Sequence, residues 1–264
     1  MIFALQKKVM QYIYNSIGFF LSKVFHYRVS VSLQNITRAF PNASYQEVAH
    51  YHKQFYRNLS RVLVETLFFK RQLLYLTQGT KDNLEEIKKE NKNIILILGH
   101  YGNWELIKQL PLSTNIQVQA LYKPLKNKFW NNRIKNRRQK YGIRLIPSQH
   151  ALRILLKEKD TNTMTVFIAD QFPGKNKGIK LSFLNQQTNI YTGAEQIAHK
   201  VNAYVVYGEI TPFGKKKWQL SISTICKEAR ETNEGFISTH FTKNLEESIQ
   251  KNPHLWLWSH KRWK

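Results

Sequence analysis

Two residues that follow a short apolar stretch could carry acid–base chemistry. His100 and Glu105 stand five positions apart in the run 99–105, GHYGNWE. The preceding run 93–98, NIILIL, is too short for a helix and rich in β-branched residues, which predicts a buried strand. Open α/β sheets place their chemistry at the carboxyl ends of their strands, and a histidine held by a carboxylate can act there as a general base. The competing interpretation is a core histidine with its hydrogen bonds satisfied.

Other kinds of site find no support in the sequence. It contains no phosphate-binding G-x-x-x-x-G-K-[ST], no G-x-G-x-x-G, no H-E-x-x-H and no G-x-S-x-G. The single cysteine, Cys226, excludes a disulfide framework and indicates a reducing compartment. We therefore expect neither a cofactor nor a metal ion. A histidine–carboxylate pair without a protein nucleophile favours direct transfer, in which the base activates a substrate hydroxyl that attacks an acyl donor.

Strands and helices alternate after residue 90, which predicts an α/β fold with a mostly parallel or mixed sheet flanked by helices on both faces. The predicted strands are 93–98, 116–122, 143–146, 164–169, 179–184, 203–210 and 217–225. The predicted helices between them are 103–110, 127–141, 149–158, 193–201 and 235–250. This core spans 91–264 in the proposed domain division.

The region 26–90 is predicted to be all-helical. Ser44 and Glu47 form a capping-box pattern that opens a helix ending near Lys70. A polar helix is expected to follow at 82–90. These helices would cap or flank the α/β core.

Residues 1–25 carry apolar side chains at helical spacing, with lysines and polar residues elsewhere around the helix. No run of about 18 apolar residues supports a membrane span, and no small-residue cleavage site follows. A basic, aromatic amphipathic helix lying in a membrane interface fits this pattern. An ordinary helix packed on the core fits it equally well.

The charge balance is strongly basic, with 41 Lys and Arg against 17 Asp and Glu and a net charge of +24 in 264 residues. Such a field attracts nucleic acid, anionic lipid, acidic proteins or phosphorylated substrates. A lysine-rich, AT-rich genome is the alternative origin. Charge alone supports a nucleic-acid-binding protein, and no zinc finger, RNP motif or helix-turn-helix pattern accompanies it. We therefore expect no nucleic-acid partner.

The run 99–105 resembles the H-x4-[DE] block of the lysophospholipid acyltransferase superfamily, in the G-H-x-G-N-W-E form of its lipid A late acyltransferase branch. Further blocks resemble this branch in the same order along the chain. They are NITRAFP at 35–41, LYKP at 121–124, Arg138 with Gly142, ADQ at 169–171 with Phe183 and Thr188, and PHLWLWSHKRW at 253–263.

The resemblance implies roles for particular residues. His100 would take the proton from an acceptor hydroxyl, and Glu105 would orient the imidazole and stabilise its charge. Arg138 would contact a phosphate or the thioester oxygen, although it lies in a basic run whose charges could simply be solvated. Asp170 would position Arg138 or the acceptor, or else cap a turn. The remaining substrate-binding candidates are Tyr122, Lys123 and Gln171.

Some positions depart from the family pattern or leave their role open. Lys123 replaces the usual arginine and loses its bidentate fork, and Asn185 replaces a glycine. His260 and Arg262 could contact a phosphate or form structural pairs. Trp256, Trp258 and Trp263 are typical of core or interface aromatics.

The activity implied is transfer of a fatty acyl chain from acyl carrier protein to a hydroxyl of a membrane glycolipid such as a lipid A precursor. The partners expected are that acidic carrier, the anionic acceptor and the membrane surface, at the cytoplasmic face of the bacterial inner membrane. An acyltransferase of the same fold acting on a lysophospholipid, an aminolipid or another lipid acceptor is the closest alternative. A membrane-associated protein without catalysis would leave the His–Glu pair unexplained.

Overall fold

The central strand of the fold is the apolar run that precedes His100. A computed structural model describes residues 2–68, 73–124, 127–158, 162–214 and 217–263. Every residue of this strand, Ile94–Leu98, is buried. Leu96 is aligned with Val166 on one side and Val206 on the other, and both pairings are parallel. A strand covered on both faces and both edges needs apolar side chains throughout, which accounts for the sequence IILIL.

Within the described residues the main sheet has seven strands, and two further strands form a separate hairpin. In chain order the strands are β1 Leu74–Leu76, β2 Ile94–Leu98, β3 Val118–Tyr122, β4 Arg144–Pro147, β5 Met164–Ile168, β6 Ile179–Phe183, β7 Gln186–Ile190, β8 Tyr204–Phe213 and β9 Lys217–Cys226. The order across the main sheet is β1-β9-β8-β2-β5-β3-β4. All neighbours are parallel except β8 and β9. The predicted α/β fold class is confirmed.

The helices surround this sheet and fill the N-terminal region. They are α1 Ile2–Phe19, continued by a π-helical turn Phe20–Val24, α2 Val29–Ala39, α3 Tyr45–Phe68, α4 Gln78–Lys89, α5 Lys128–Gln139, α6 Ala151–Lys157, α7 Gly193–Val201 and α8 Phe236–Lys251. Short 3₁₀ segments are Trp104–Leu112, Ser148–His150, Ala229–Glu231 and Pro253–Leu255. In the described part of the chain, no helix is both long enough and apolar enough to cross a bilayer.

The capping signals predicted from the sequence are present at the start of α3. The backbone N–H of Ser44 donates to Glu47 Oε2 at 2.8 Å, and the N–H of Glu47 donates to Ser44 Oγ at 3.3 Å. These reciprocal bonds satisfy two donors that a helix start leaves open. The predicted end of this helix at Lys70 lies outside the described residues. The next helix, α4, begins at Gln78, four residues before the predicted start, because Thr77 caps it through the N–H of Thr80.

Two strands were missed by the sequence prediction. β7 follows β6 through the two residues Leu184 and Asn185, whose φ angles of 48° and 61° suit a tight hairpin turn. The sequence of β7, QQTNI, has one apolar residue and therefore gives no alternating pattern. β1 has three residues and pairs with β9, so a strand forms inside the region predicted to be helical.

The helix predicted at 103–110 is a 3₁₀ helix over Trp104–Leu112. Pro111 lies inside it and has no N–H to donate to the carbonyl four residues earlier. The segment still places Glu105 in its first turn, directly after the loop that carries His100.

Candidate active site

His100 and Asp170 meet because β2 and β5 are parallel neighbours in register. Leu98 is aligned with Ile168, and each strand ends there. His100 and Asp170 each lie two residues beyond those ends. Equal lengths of chain past the strand ends bring both side chains to the carboxyl edge of the sheet, where the sequence predicted the chemistry.

The two side chains form a close ion-pair geometry. His100 Nδ1 is 2.6 Å from Asp170 Oδ1, and the backbone N–H of His100 donates to Asp170 Oδ2 at 2.9 Å. Burial raises the pKa of Asp170, but the adjacent His100 and the hydrogen bonds to this carboxylate outweigh it and lower the pKa to about 2. An ionised carboxylate only accepts hydrogen bonds, so His100 Nδ1 must carry a proton. In the neutral imidazole, Nε2 is then the free base.

The predicted pairing of Glu105 with the imidazole of His100 is wrong. Glu105 instead receives a two-pronged contact from Arg138, with Nη2 at 2.6 Å from Oε1 and Nε at 3.3 Å from Oε2. Asp170, predicted to position Arg138 or the acceptor, occupies the place beside the histidine. Glu105 is close to His100 in the sequence whereas Asp170 is 70 residues away, so spacing along the chain favours the wrong carboxylate.

The remaining ring nitrogen of His100 faces a different neighbour. Gln171 Nε2 lies 3.4 Å from His100 Nε2, and the ring of Trp104 packs edge-on with its centroid at 5.3 Å. The side chain of His100 is 18% exposed, whereas that of Asp170 is 3% exposed. The imidazole is therefore accessible on the side away from its carboxylate, where a substrate hydroxyl can reach Nε2.

A buried lysine adjoins the Glu105–Arg138 pair. Lys108 is 7% exposed, and burial lowers its pKa against the opposing effect of Glu105. It lines a cavity of about 60 Å³ together with Trp104, Glu105 and Arg138. The other lining side chains are apolar: Ile107, Ala120, Leu121, Ile143, Leu145, Val166 and Ile168. The site thus combines cationic groups with an apolar recess.

A segment near the C-terminal end of the described chain completes the surroundings of Asp170. Trp256 Nε1 donates to Asp170 Oδ2 at 2.8 Å, and the indole is fully buried. The same segment pairs with the His100 loop, because Leu257 N–H donates to the His100 carbonyl at 3.0 Å and Gly102 N–H donates to the Leu255 carbonyl at 3.0 Å. The sequence predicts Trp256 only as a core or interface aromatic residue.

Hydrogen bonds to a buried acid of α3 hold the loop that carries His100 in place. Glu65 of α3 is buried and accepts hydrogen bonds from Asn103 Nδ2 at 2.8 Å and Trp218 Nε1 at 2.6 Å. Gly102 has a φ of +65°, and a Cβ there would lie 1.8 Å from the carbonyl oxygen of Ile210. The loop can pass this close to β8 only with glycine at that position. Gly102 and Asn103 of the GHYGNWE run therefore determine the conformation of the loop.

The other predicted site residues lie at the same sheet edge or in the core. Tyr122 is the half-buried last residue of β3, and Lys123 follows it at the surface. Arg262 is buried and donates through Nη1 to Thr188 Oγ1 at 2.6 Å, which makes it a structural pair. His260 contributes its backbone carbonyl to Asn35 Nδ2 at 2.9 Å. Among the described residues, no group of three or more His, Cys, Asp or Glu is arranged to hold a metal ion.

Comparison with known families bears on this geometry. The family model described as bacterial lipid A biosynthesis acyltransferase matches residues 1–264. The chain belongs to this family. It is therefore an acyltransferase of lipid A biosynthesis, as the resemblance of its motifs implied. A comparison with curated proteins finds no match. In this acyltransferase, the GHYGNWE motif that carries the family resemblance also forms the loop whose His100 contacts the Asp170 carboxylate.

Proposed function

We propose that this acyltransferase moves a fatty acyl chain from the thioester of acyl carrier protein to a hydroxyl group of a lipid A precursor. His100 acts as the general base. The observation that supports this most directly is the 2.6 Å contact between His100 Nδ1 and Asp170 Oδ1. It orients the ring, fixes the proton on Nδ1 and leaves Nε2 to accept a proton from the acceptor.

The transfer proceeds in two steps, addition to the thioester and collapse of the tetrahedral intermediate. His100 Nε2 takes the proton of the acceptor hydroxyl while that oxygen attacks the thioester carbonyl carbon, which gives a tetrahedral oxyanion and an imidazolium. The oxyanion then collapses, the C–S bond breaks, and the departing thiolate takes the proton from the imidazolium. Asp170 is a positioning residue that stabilises the imidazolium between the steps without itself becoming protonated.

Arg138 is the charged group that contacts the substrates, and Glu105 orients it. Glu105 holds the guanidinium of Arg138 by both oxygens, so its donors have a fixed direction. Arg138 is 36% exposed in its side chain and can offer its other N–H groups to a phosphate or to the developing oxyanion. We assign Glu105 a positioning role through Arg138.

The two proposed substrates both suit the charge of the molecule. Acyl carrier protein is acidic and a lipid A precursor carries phosphates, whereas this chain has a net charge of +24. Electrostatic attraction of this kind raises the rate of productive encounter. The apolar recess beside Arg138 has a volume of about 60 Å³, so it can take only the few atoms of the acyl chain nearest the thioester.

The proposed substrates and the N-terminal helix both support a position at the cytoplasmic face of the inner membrane. The region 9–27 exposes large apolar and aromatic side chains together with Lys23. An interfacial amphipathic helix presents this combination to anionic lipid. Such an anchor would bring the catalytic edge to a membrane-bound acceptor.

The test uses purified protein, acyl carrier protein loaded with a fatty acid, and a lipid A precursor with a free hydroxyl. His100→Ala is expected to lower the rate of acyl transfer by about 10²–10⁴-fold, because the acceptor loses its base. The matched control is His240→Ala, which removes an exposed histidine of α8 and should leave the rate unchanged. Near-normal transfer by His100→Ala would refute the mechanism.

The acceptor is tested separately by mass spectrometry of lipids from cells that lack the gene. Loss of one acyl chain from lipid A is the expected result. Unchanged lipid A together with loss of an acyl chain from a phospholipid or an aminolipid would refute the proposed acceptor and favour the alternative of a related acyltransferase.

A further inference from the structure

A second and much larger cavity lies in the N-terminal helical region. We call it the N-terminal groove; it is bounded by the end of α1, the π-helical turn, α2 and the first half of α3. Its volume is about 1200 Å³. Sites for drug-sized ligands occupy roughly 300–1,000 Å³. The groove is therefore suited to a larger molecule.

The floor of the groove is set by close contact between α1 and α3. Gly18 of α1 faces the backbone of Tyr56 and Arg57, where an added Cβ would lie only 3.2–3.3 Å from backbone atoms. Ser22 Oγ donates to the Gly18 carbonyl at 2.8 Å within α1 and its π-helical continuation. This close contact between α1 and α3 forms one side of the N-terminal groove.

The walls of the N-terminal groove combine hydrocarbon with positive charge. Val29, Leu33 and Val48 line it on α2 and α3, and Phe19 and Phe20 line it at the end of α1 and in the π-helical turn. Phe19 is 58% exposed, Phe20 is 52% exposed and Leu33 is 40% exposed. Apolar surface of this kind is covered by a ligand or a partner more often than it is left in water.

The charged lining residues are all basic. Lys23, Lys53 and Arg57 line the groove, and among its described lining residues none is Asp or Glu. Cations and apolar side chains lining one cavity are complementary to an anion that carries hydrocarbon chains. A peptide of mixed charge would leave its acidic and basic groups unequally matched.

We propose that the N-terminal groove binds one molecule of a phospholipid with an anionic headgroup. The phosphate lies among Lys23, Lys53 and Arg57, and the acyl chains lie against Val29, Leu33 and Val48. The lipid comes from the leaflet on which the exposed aromatic side chains of α1 and the π-helical turn rest.

This site is independent of the transfer reaction, since none of its lining residues belongs to the His100–Asp170 or Glu105–Arg138 pairs.

The test measures binding of a monomeric short-chain lipid, so that adsorption to a vesicle surface does not contribute. Dihexanoyl phosphatidylglycerol, below its micelle concentration, is titrated into the full-length protein by calorimetry. We expect saturable binding of one molecule per chain. Dihexanoyl phosphatidylcholine and glycerol 3-phosphate should each bind on the order of tenfold or more weakly, because one lacks net charge and the other lacks chains.

Two charge reversals separate the groove from the general basic surface. Lys53→Glu should weaken binding of the phosphatidylglycerol by on the order of tenfold. Lys243→Glu changes the net charge equally at an exposed position of α8 and should leave binding unchanged. Both lysines are exposed, so neither replacement disturbs the core.

Four results would overturn the proposal. The first is absence of saturable binding of the short-chain phosphatidylglycerol. The others are equal binding of the two lipids, equally tight binding of glycerol 3-phosphate, and equal effects of the two lysine variants. Because the assay requires no acyl transfer, its outcome is separate from that of the His100→Ala test.

Discussion

At the scale of single residues, the choice of carboxylate beside the histidine decides how the site works. Asp170 is buried and bonded to both Nδ1 and the backbone N–H of His100, whereas Glu105 is held by Arg138. A buried acceptor with a fixed geometry favours a single tautomer of the imidazole. The two acids therefore differ in function: one orients the base and the other orients a cation.

This division predicts different kinetic effects for the two acids. Asp170→Asn should lower kcat by about 10²–10⁴-fold, since the imidazolium loses its negative partner and the ring can adopt the wrong tautomer. Glu105→Gln should mainly raise KM, because Arg138 remains but is less well oriented. Steady-state rates with both substrates varied will separate the two effects. The assignment fails if Glu105→Gln lowers kcat as strongly as Asp170→Asn.

Asp170 also predicts a change of stability with pH. Its pKa is about 2 in the folded protein against an ordinary value of 3.8. Because the folded pKa is the lower one, Asp170 stabilises the fold above about pH 4, and this contribution is lost as the pH falls toward 2. Between about pH 5 and pH 3, the wild type should lose about 1 kcal/mol more unfolding free energy than Asp170→Asn. Denaturant titrations at several pH values measure this difference, and parallel pH profiles would contradict it.

At the scale of elements, the C-terminal segment after α8 acts as part of the site. Trp256 directly follows the 3₁₀ turn Pro253–Leu255 and donates to Asp170, and the neighbouring backbone pairs with the His100 loop. Trp258 is buried in the same segment but donates to the Pro253 carbonyl at 2.6 Å. Trp256 and Trp258 are both buried, but the indole N–H of Trp256 donates to Asp170 whereas that of Trp258 donates to a backbone carbonyl.

The tryptophans provide a matched pair of variants. Trp256→Phe removes a donor from the buried Asp170 carboxylate and should destabilise the fold by about 1–3 kcal/mol. It should also lower kcat by about tenfold, because Asp170 is less firmly placed. Trp258→Phe should cost comparable stability with little change in kcat. Equal kcat losses in the two variants would show that Trp256 acts only through the core.

Much of the sheet could be predicted from the sequence, because buried parallel strands are apolar runs between helices. The run at Ile94–Leu98 is the clearest example. The hairpin strand β7 could not be predicted, since its sequence QQTNI has no alternation and its turn depends on Leu184 and Asn185 at positive φ. The three-residue strand β1 is too short for any periodic pattern and forms only by pairing with β9.

The candidate site could be predicted in part. The position of His100 at a strand end followed from the apolar run before it, and the same argument applied to Asp170. Their contact depends on β2 and β5 being neighbours in register, which is a property of the sheet order. Distance along the chain favours Glu105 as the partner of His100, and no sequence signal indicates the hydrogen bond from Trp256 to Asp170.

At the scale of the whole molecule, the dominant property is its positive charge. The balance of 41 basic against 17 acidic residues gives a field that acts beyond any one contact. Between exposed charges, the field is screened over about 10 Å at 0.1 M salt. The approach of an acidic carrier protein should therefore respond to ionic strength more strongly than the chemical step does.

The proposed carrier predicts a salt dependence that a small donor lacks. From about 0.05 M to about 0.3 M salt, kcat/KM for acyl carrier protein loaded with a fatty acid should fall by roughly tenfold. With the neutral acyl thioester of N-acetylcysteamine, the fall should be less than about threefold. Initial rates across a salt series measure both values. An equal fall for the two donors would contradict recognition of the carrier by charge.

The pairing of β1 with β9 and the contact of Trp256 with Asp170 have a consequence for biosynthesis. Early and late parts of the polypeptide must both have left the ribosome before the sheet edge and the carboxylate are complete. Contacts so distant in sequence form slowly and leave strands transiently unpaired. A nascent chain halted before residue 256 would therefore contain His100 and Asp170 but lack the hydrogen bond from Trp256 to Asp170. The site would therefore be complete only after residue 256 has left the ribosome.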